Sequence, residues 1–179
     1  PRSPDFVWAA VERELAEAPP DALSVSGLPR EICAMVPVIA GALASAARGG
    51  RTAELAVNLV TPPDDAAIAC LAKLPIRYLS MGVGYIEPAT FARLVLEGVP
   101  QVVGLALGSL ALDATMVAAL QQLDQLAILN LSSFSIDDAD MRPVAELTRL
   151  RRLELPYASV TDAGLQDVGR LTALGELDL

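Results

Sequence analysis

Leu129, Leu153 and Leu177 stand 24 residues apart, and each is the seventh position of one pattern with apolar residues at positions 1, 4, 7 and 9. The pattern reads Leu123, Leu126, Leu129, Leu131; then Leu147, Leu150, Leu153, Leu155; then Leu171, Leu174, Leu177, Leu179. A fixed period of this length restricts the chain to a stack of similar supersecondary units. One unit is too short to bury its own apolar face, so its neighbours must cover it. Composition agrees: 53% of residues are apolar and 4% aromatic, so the core is built from aliphatic side chains.

The frame continues upstream. Val99, Val102, Leu105 and Leu107 fill the four positions one period earlier, and Leu79 precedes Leu105 by 26 residues, with Ile76 and Met81 beside it. Leu55, followed by Val57, lies 24 residues further back, and Leu23, followed by Val25, another 32. About seven strands are expected, centred on Leu23, Leu55, Leu79, Leu105, Leu129, Leu153 and Leu177. Positions 7 and 9 alternate with polar or small residues, as a strand with one face inward requires.

Acidic or turn residues follow each strand: Pro63-Asp64-Asp65, Glu87-Pro88, Asp113, Asp137-Asp138 and Thr161-Asp162. Asp and Thr oxygens accept hydrogen bonds from the free N–H groups of a first helical turn, and Pro fits the first helical position. Helices are expected over 29–48, 64–73, 88–98, 114–122, 138–146 and 162–169, with 32–47 as a buried helix. Stacking strand on strand and bulkier helix on helix bends the array. The expected fold class is α/β: a curved solenoid with a parallel β-sheet on its concave face and helices on its convex face.

The stretch Leu147-Thr-Arg-Leu150-Arg-Arg-Leu153-Glu-Leu155, followed by Val160-Thr161-Asp162-Ala163-Gly164-Leu165, resembles leucine-rich repeats with a V/I-T-D-x-G-L helix entry. Such repeats are common in bacterial repeat proteins and similar to the ribonuclease-inhibitor-like and F-box-associated classes. The resemblance is close over 99–179 and looser over 22–98. It implies a leucine-rich repeat solenoid that binds a protein partner on its concave face. The Asn or Cys usual in the turn after the strand is mostly replaced, with Leu110, Ser132 and Ser133 nearby. High alanine and irregular early repeats also resemble the repeat domains of bacterial effectors injected into host cells. That resemblance implies an alternative: the substrate-recognition part of an effector whose ubiquitin-ligase or F-box-type activity lies outside this chain. Leu28-Pro29-Arg30-Glu31-Ile32 resembles an F-box opening, although Pro29 as the start of a helix accounts for it equally.

Residues 1–20 read as an N-terminal cap helix and 21–179 as the solenoid. In the first segment Ser3 caps, Pro4 starts, and Phe6, Val7, Ala10, Val11 and Leu15 form an apolar stripe. Trp8 belongs to this cap or its edge. The chain stops on Leu179 inside a unit, so we expect the solenoid to be truncated here and the natural protein to continue, with further repeats favouring a plain binder and a new domain favouring the ligase reading. Cys33 and Cys70 are expected as buried free thiols.

A net charge of −9 without a basic segment disfavours nucleic acid and anionic membranes as partners. With no histidine, the chain lacks the commonest general base and the Ser–His and Cys–His nucleophile pairs. Neither a P-loop nor a dinucleotide fingerprint occurs. We expect no catalysis, no cofactor, no metal site and a monomer. The sequence shows neither a signal peptide nor a spanning segment, and localisation follows the partner: cytoplasmic, or within a host cell for an effector.

Positions 6, 8 and 10 of each unit should point outward from the sheet. Tyr78, Ser80, Asn130, Arg152, Glu154, Tyr157, Glu176 and Asp178 are the expected partner-binding residues. Tyr78, Arg152 and Tyr157 are the candidate anchors, because aromatic and Arg residues dominate interface energetics. Pairing of Arg152 and Glu154 with Glu176 and Asp178 across strands is the competing role.

Overall fold

A computed structural model of the chain describes residues 23–50, 54–82, 85–108, 112–132 and 136–179. The expected cap helix over 1–20, with Trp8, lies outside the described residues, as do Leu110 and Ser133.

Seven strands form one parallel sheet in strict chain order. They are β1 (Leu23–Gly27), β2 (Leu55–Leu59), β3 (Ile76–Met81), β4 (Gly104–Gly108), β5 (Ile128–Ser132), β6 (Arg152–Glu154) and β7 (Glu176–Asp178). The helices between them are α1 (Pro29–Ala34), α2 (Val36–Arg48), α3 (Asp65–Leu71), α4 (Pro88–Arg93), α5 (Ala114–Gln121), α6 (Asp138–Val144) and α7 (Asp162–Val168). Leu79, Leu105, Leu129 and Leu153 are buried beneath the sheet with Ile68, Phe91, Leu120 and Met141 from the helices, forming one continuous core. Each layer is thus closed by the next, as a solenoid requires.

The helix entries follow the sequence signals closely. Asp64 accepts from Ala67 N at 2.9 Å and Asp113 from Met116 N at 2.8 Å, each capping its own helix. Pro29 and Pro88 start α1 and α4. The Leu28–Ile32 segment is therefore the entry to a helix, with Pro29 and Ile32 buried. The 26-residue unit takes up its extra length where α4 widens into a π turn, Leu94–Gly98.

Four expectations are corrected. First, register pairs Val57, not Leu55, with Leu79, and Val25 with Val57; Leu55 faces Ile76 across an irregularity. The frame in the first two units is therefore displaced by two residues. Leu55, Val57 and Leu59 are all buried, and a slip of two keeps every side chain on its face, so alternation alone does not reveal it. Second, the 29–48 helix is divided at Met35, just before Pro37, into α1 and α2. Third, α2 is mostly exposed: only Ile39 is fully buried. Fourth, Cys33 and Cys70 are partly exposed and joined as a disulfide, with Cα atoms 5.9 Å apart. Stacking α1 beside α3 brings them to the spacing that a disulfide needs.

Candidate functional site

The face of the sheet opposite the helices carries the outward residues of every strand. Corrected register aligns one of its rows as Ser26, Asn58, Ser80, Ala106, Asn130, Glu154 and Asp178. Only Ala106 interrupts this polar lane. Asn58 belongs to it, and the displaced frame had put Ala56 in its place.

Hydrogen bonds run along the lane. Asn58 Nδ2 donates to Ser26 Oγ at 3.1 Å, Asn130 Nδ2 to Glu154 Oε2 at 2.5 Å, and Ser132 Oγ to Asn130 Oδ1 at 2.5 Å. Asn130 is 1% exposed and Glu154 4%, and Ser80 is also buried. These three do not stand out into solvent as expected. Asn130 instead turns to its neighbours, held between the carboxylate of Glu154 and the hydroxyl of Ser132. Glu154 pairs with Asn130 within the lane, and its in-register neighbour Asp178 carries the same charge.

The adjoining row reads Ala56, Tyr78, Gly104, Ile128, Arg152 and Glu176. Here Gly104 matters for its missing side chain: a Cβ would lie 2.6 Å from Cδ1 of Tyr78, so the ring covers the space over Gly104. The small central part of the face is thus filled by the chain's own tyrosine. At the other end Arg152 is half-buried and donates to Glu176 Oε2 through Nε at 2.8 Å and Nη2 at 2.5 Å. The cross-strand pairing of Arg152 with Glu176, given above as the competing role, is thus present.

Tyr157 lies just past β6. It is 37% exposed and has φ of 71°, the only positive φ at a non-glycine position among the described residues. The left-handed region is unfavourable for a tyrosine, and such outliers gather at binding sites. Tyr85, past β3, is also exposed. The sequence offered a signal for it, since the equivalent places hold Ala111, Ser135 and Ser159.

On the helix side, Asp138 ties two units together. Its Oδ1 accepts from Thr161 N at 2.7 Å and Gly164 N at 3.1 Å, and its Oδ2 from Thr161 Oγ1 at 2.6 Å. These bonds, led by the Thr161 hydroxyl, hold its carboxyl below the usual carboxylate range. Asp137, not Asp138, caps α6, accepting from Ala139 N at 2.8 Å. The Thr161 and Gly164 positions of the helix-entry motif therefore receive a carboxylate from the preceding unit. Gly164 leaves room for it: a Cβ there would come within 2.5 Å of Asp138 Oδ1.

Seven parallel strands in chain order, each followed by a helix or by the end of the chain, with aliphatic residues in register beneath them, decide the architecture. The fold is that of a leucine-rich repeat solenoid. Among solved structures the leucine-rich repeat chain is similar to an internalin (inlF) from Listeria monocytogenes str. 4b F2365, with 15% identity and a TM-score of 0.38. The match covers 72% of this chain and 46% of the internalin, so the repeats described here span about half of that protein's length. The sequence matches no protein-family model and no curated protein. Among the described residues, no group of three metal-ligating side chains is placed to hold an ion, and no helix is long and apolar enough to cross a membrane.

Proposed function

We propose that this leucine-rich repeat chain is a non-catalytic module that recognises a protein partner on the sheet face of its C-terminal units. The observation that carries the reading is Tyr157, an exposed aromatic side chain held at a positive φ at the end of that face. An Asn or Gly would occupy this backbone with less strain, which gives the tyrosine ring itself a reason to be there. Around it, Arg152, Glu176 and Asp178 supply a charged rim, and Tyr78 extends the surface toward the middle of the sheet. Ser80, Asn130 and Glu154 serve from below: they are buried and hold the floor on which the contacting residues stand.

The test compares wild type with Tyr157→Gly by affinity capture from cell lysates, read by mass spectrometry. Glycine accepts the same backbone angle, so the fold is preserved while the ring is removed. A protein retained by wild type and lost by the variant supports the reading and names the partner. Identical profiles from equally stable proteins refute the site.

A further inference from the structure

Arginines in this acidic chain mostly meet an acid. Arg30 pairs with Asp64, Arg93 with Asp65 and Glu97, Arg149 with Asp124, Arg152 with Glu176 and Arg170 with Asp167. Among the described residues, Arg77 and Arg151 have no acidic partner. Both line one cavity of about 330 Å³ at the edge of the sheet where the strands begin.

The backbone sets the lining residues in a row. Val103 N donates to Arg77 O at 2.7 Å, Ala127 N to Val103 O at 2.9 Å and Arg151 N to Ala127 O at 2.8 Å. Neighbouring strands lie about 4.8 Å apart, so the backbones of Arg77 and Arg151 stand roughly 14 Å apart. Between them in the row come only Val103 and Ala127, whose short side chains leave the gap. Arg151 follows the alternation of the strand: Arg152 pairs with Glu176 over the sheet face, and Arg151 turns to the entry edge.

Arg77 is braced across this gap. Its Nη1 donates to Gln101 O at 3.2 Å and to Gln125 Oε1 at 2.5 Å. Gln125 precedes β5, so the guanidinium reaches past β4 toward Arg151. Its Nε and Nη2 bond to no described group and keep their donors for a ligand. Arg149 also lines the cavity and donates to Oδ1 of Asp124 at 2.7 Å, the one carboxylate in the lining. Three guanidiniums against one carboxylate leave the cavity with two positive charges, in a chain whose net charge is −9. Guanidinium forks match the oxygens of carboxylates and phosphates. Two charges match a phosphate group, which carries about −1.5 to −2 at neutral pH, whereas one carboxylate leaves a charge over. A water takes about 30 Å³ of liquid, so the space admits a phosphate group with waters around it.

We infer that this cavity is a phosphate-binding site, in which Arg77 and Arg151 hold the oxygens of a phosphate dianion and Arg149 adds charge beside them. Free phosphate and a phosphorylated side chain present the same group to it. The site is separate from the sheet face and does not depend on that face holding a protein.

Isothermal titration of the full chain with inorganic phosphate and with phosphoserine, at an ionic strength held constant with sodium chloride, tests it. We expect saturable binding that weakens about tenfold or more in Arg151→Ala, the loss that follows from removing one charged donor. Arg77→Gln should weaken it as well, and Arg151→Lys, which keeps the charge without the fork, should fall between Arg151→Ala and wild type. Arg142→Ala removes an exposed arginine of α6 outside the cavity lining and should change nothing. The Arg151 side chain is exposed and bonds to no described group, so Arg151→Ala should keep the circular dichroism of wild type. Tighter binding of phosphoserine than of phosphate assigns the cavity to a phosphorylated side chain, and the reverse order assigns it to the free ion. Absence of saturable binding with either probe overturns the inference, as does undiminished binding by Arg151→Ala. Equal weakening in Arg142→Ala overturns it too, because general surface charge then accounts for the effect.

Discussion

Gly104→Ala is the substitution that most sharply separates this structure from a generic repeat array. In an ordinary strand, replacing glycine with alanine stabilises by about 0.5–1 kcal/mol, because glycine loses more backbone freedom on folding. Here the new Cβ would stand 2.6 Å from Cδ1 and 3.1 Å from Cε1 of Tyr78, with Cβ of Ile128 at 3.7 Å on the other side. Ordinary contact begins at 3.4 Å, so the Cδ1 contact must open by 3.4 − 2.6 = 0.8 Å. Tyr78, Gly104 and Ile128 are in register on three paired strands, which prevents the backbone from moving apart. The ring must leave its position instead. Overpacking of this kind costs about 1–3 kcal/mol, which leaves a net loss of roughly 0.5–2 kcal/mol after the strand gain. Urea denaturation followed by circular dichroism measures it. In a Tyr78→Ala background the obstacle is absent, and the same change should become neutral or stabilising. The double-mutant cycle should therefore show a coupling of about 1 kcal/mol or more. Equal stabilisation by Gly104→Ala in both backgrounds would show that the ring does not lie over Gly104.

Two further outcomes follow from the links between units. The Cys33–Cys70 disulfide closes a separation of 37 residues, and chain-entropy arguments put its contribution at about 3–4 kcal/mol. Denaturation midpoints should fall on reduction and in the Cys33→Ser/Cys70→Ser double variant; midpoints indifferent to reductant would refute the cross-link. Asp138 has a carboxyl lowered by its bonds to Thr161 and Gly164 from a reference of 3.8. A lowered acid favours the folded state above its unfolded value, so the stability gap between wild type and Asp138→Asn should be full above pH 3.8 and close as pH falls below it. Asp140, raised by burial, works in the opposite sense and is common to both proteins, so it cancels in the difference. A gap constant through that range would remove Asp138 from the link between α6 and α7.

Much of the architecture was legible because it rests on short-range rules. Asp64, Asp113, Asp137 and Thr161 cap the helices that they precede, since a side chain reaching the next turn needs no knowledge of the rest of the chain. The Leu105, Leu129, Leu153 and Leu177 register is likewise a direct image of the period. The site was only partly legible. Arg152 and Glu176 were both recognisable and come together, but Asn130 and Glu154 turn to each other and are buried. Residue type announces a polar group without telling whether a neighbour already satisfies it.

The repeat by itself determined that this chain stacks parallel strands in order, with helices behind them and aliphatic residues between. Each of those features depends on residues within one period of each other. The tertiary structure decided everything that depends on how neighbouring units meet. It set the two-residue displacement of β1 and β2, which a pattern of period two leaves invisible. It brought Asn58 into the polar lane, laid Tyr78 over Gly104, and joined Cys33 to Cys70. The same stacking left α2 mostly exposed. Contacts between units are fixed by packing across a stack, and periodicity along the chain states only that such a stack exists.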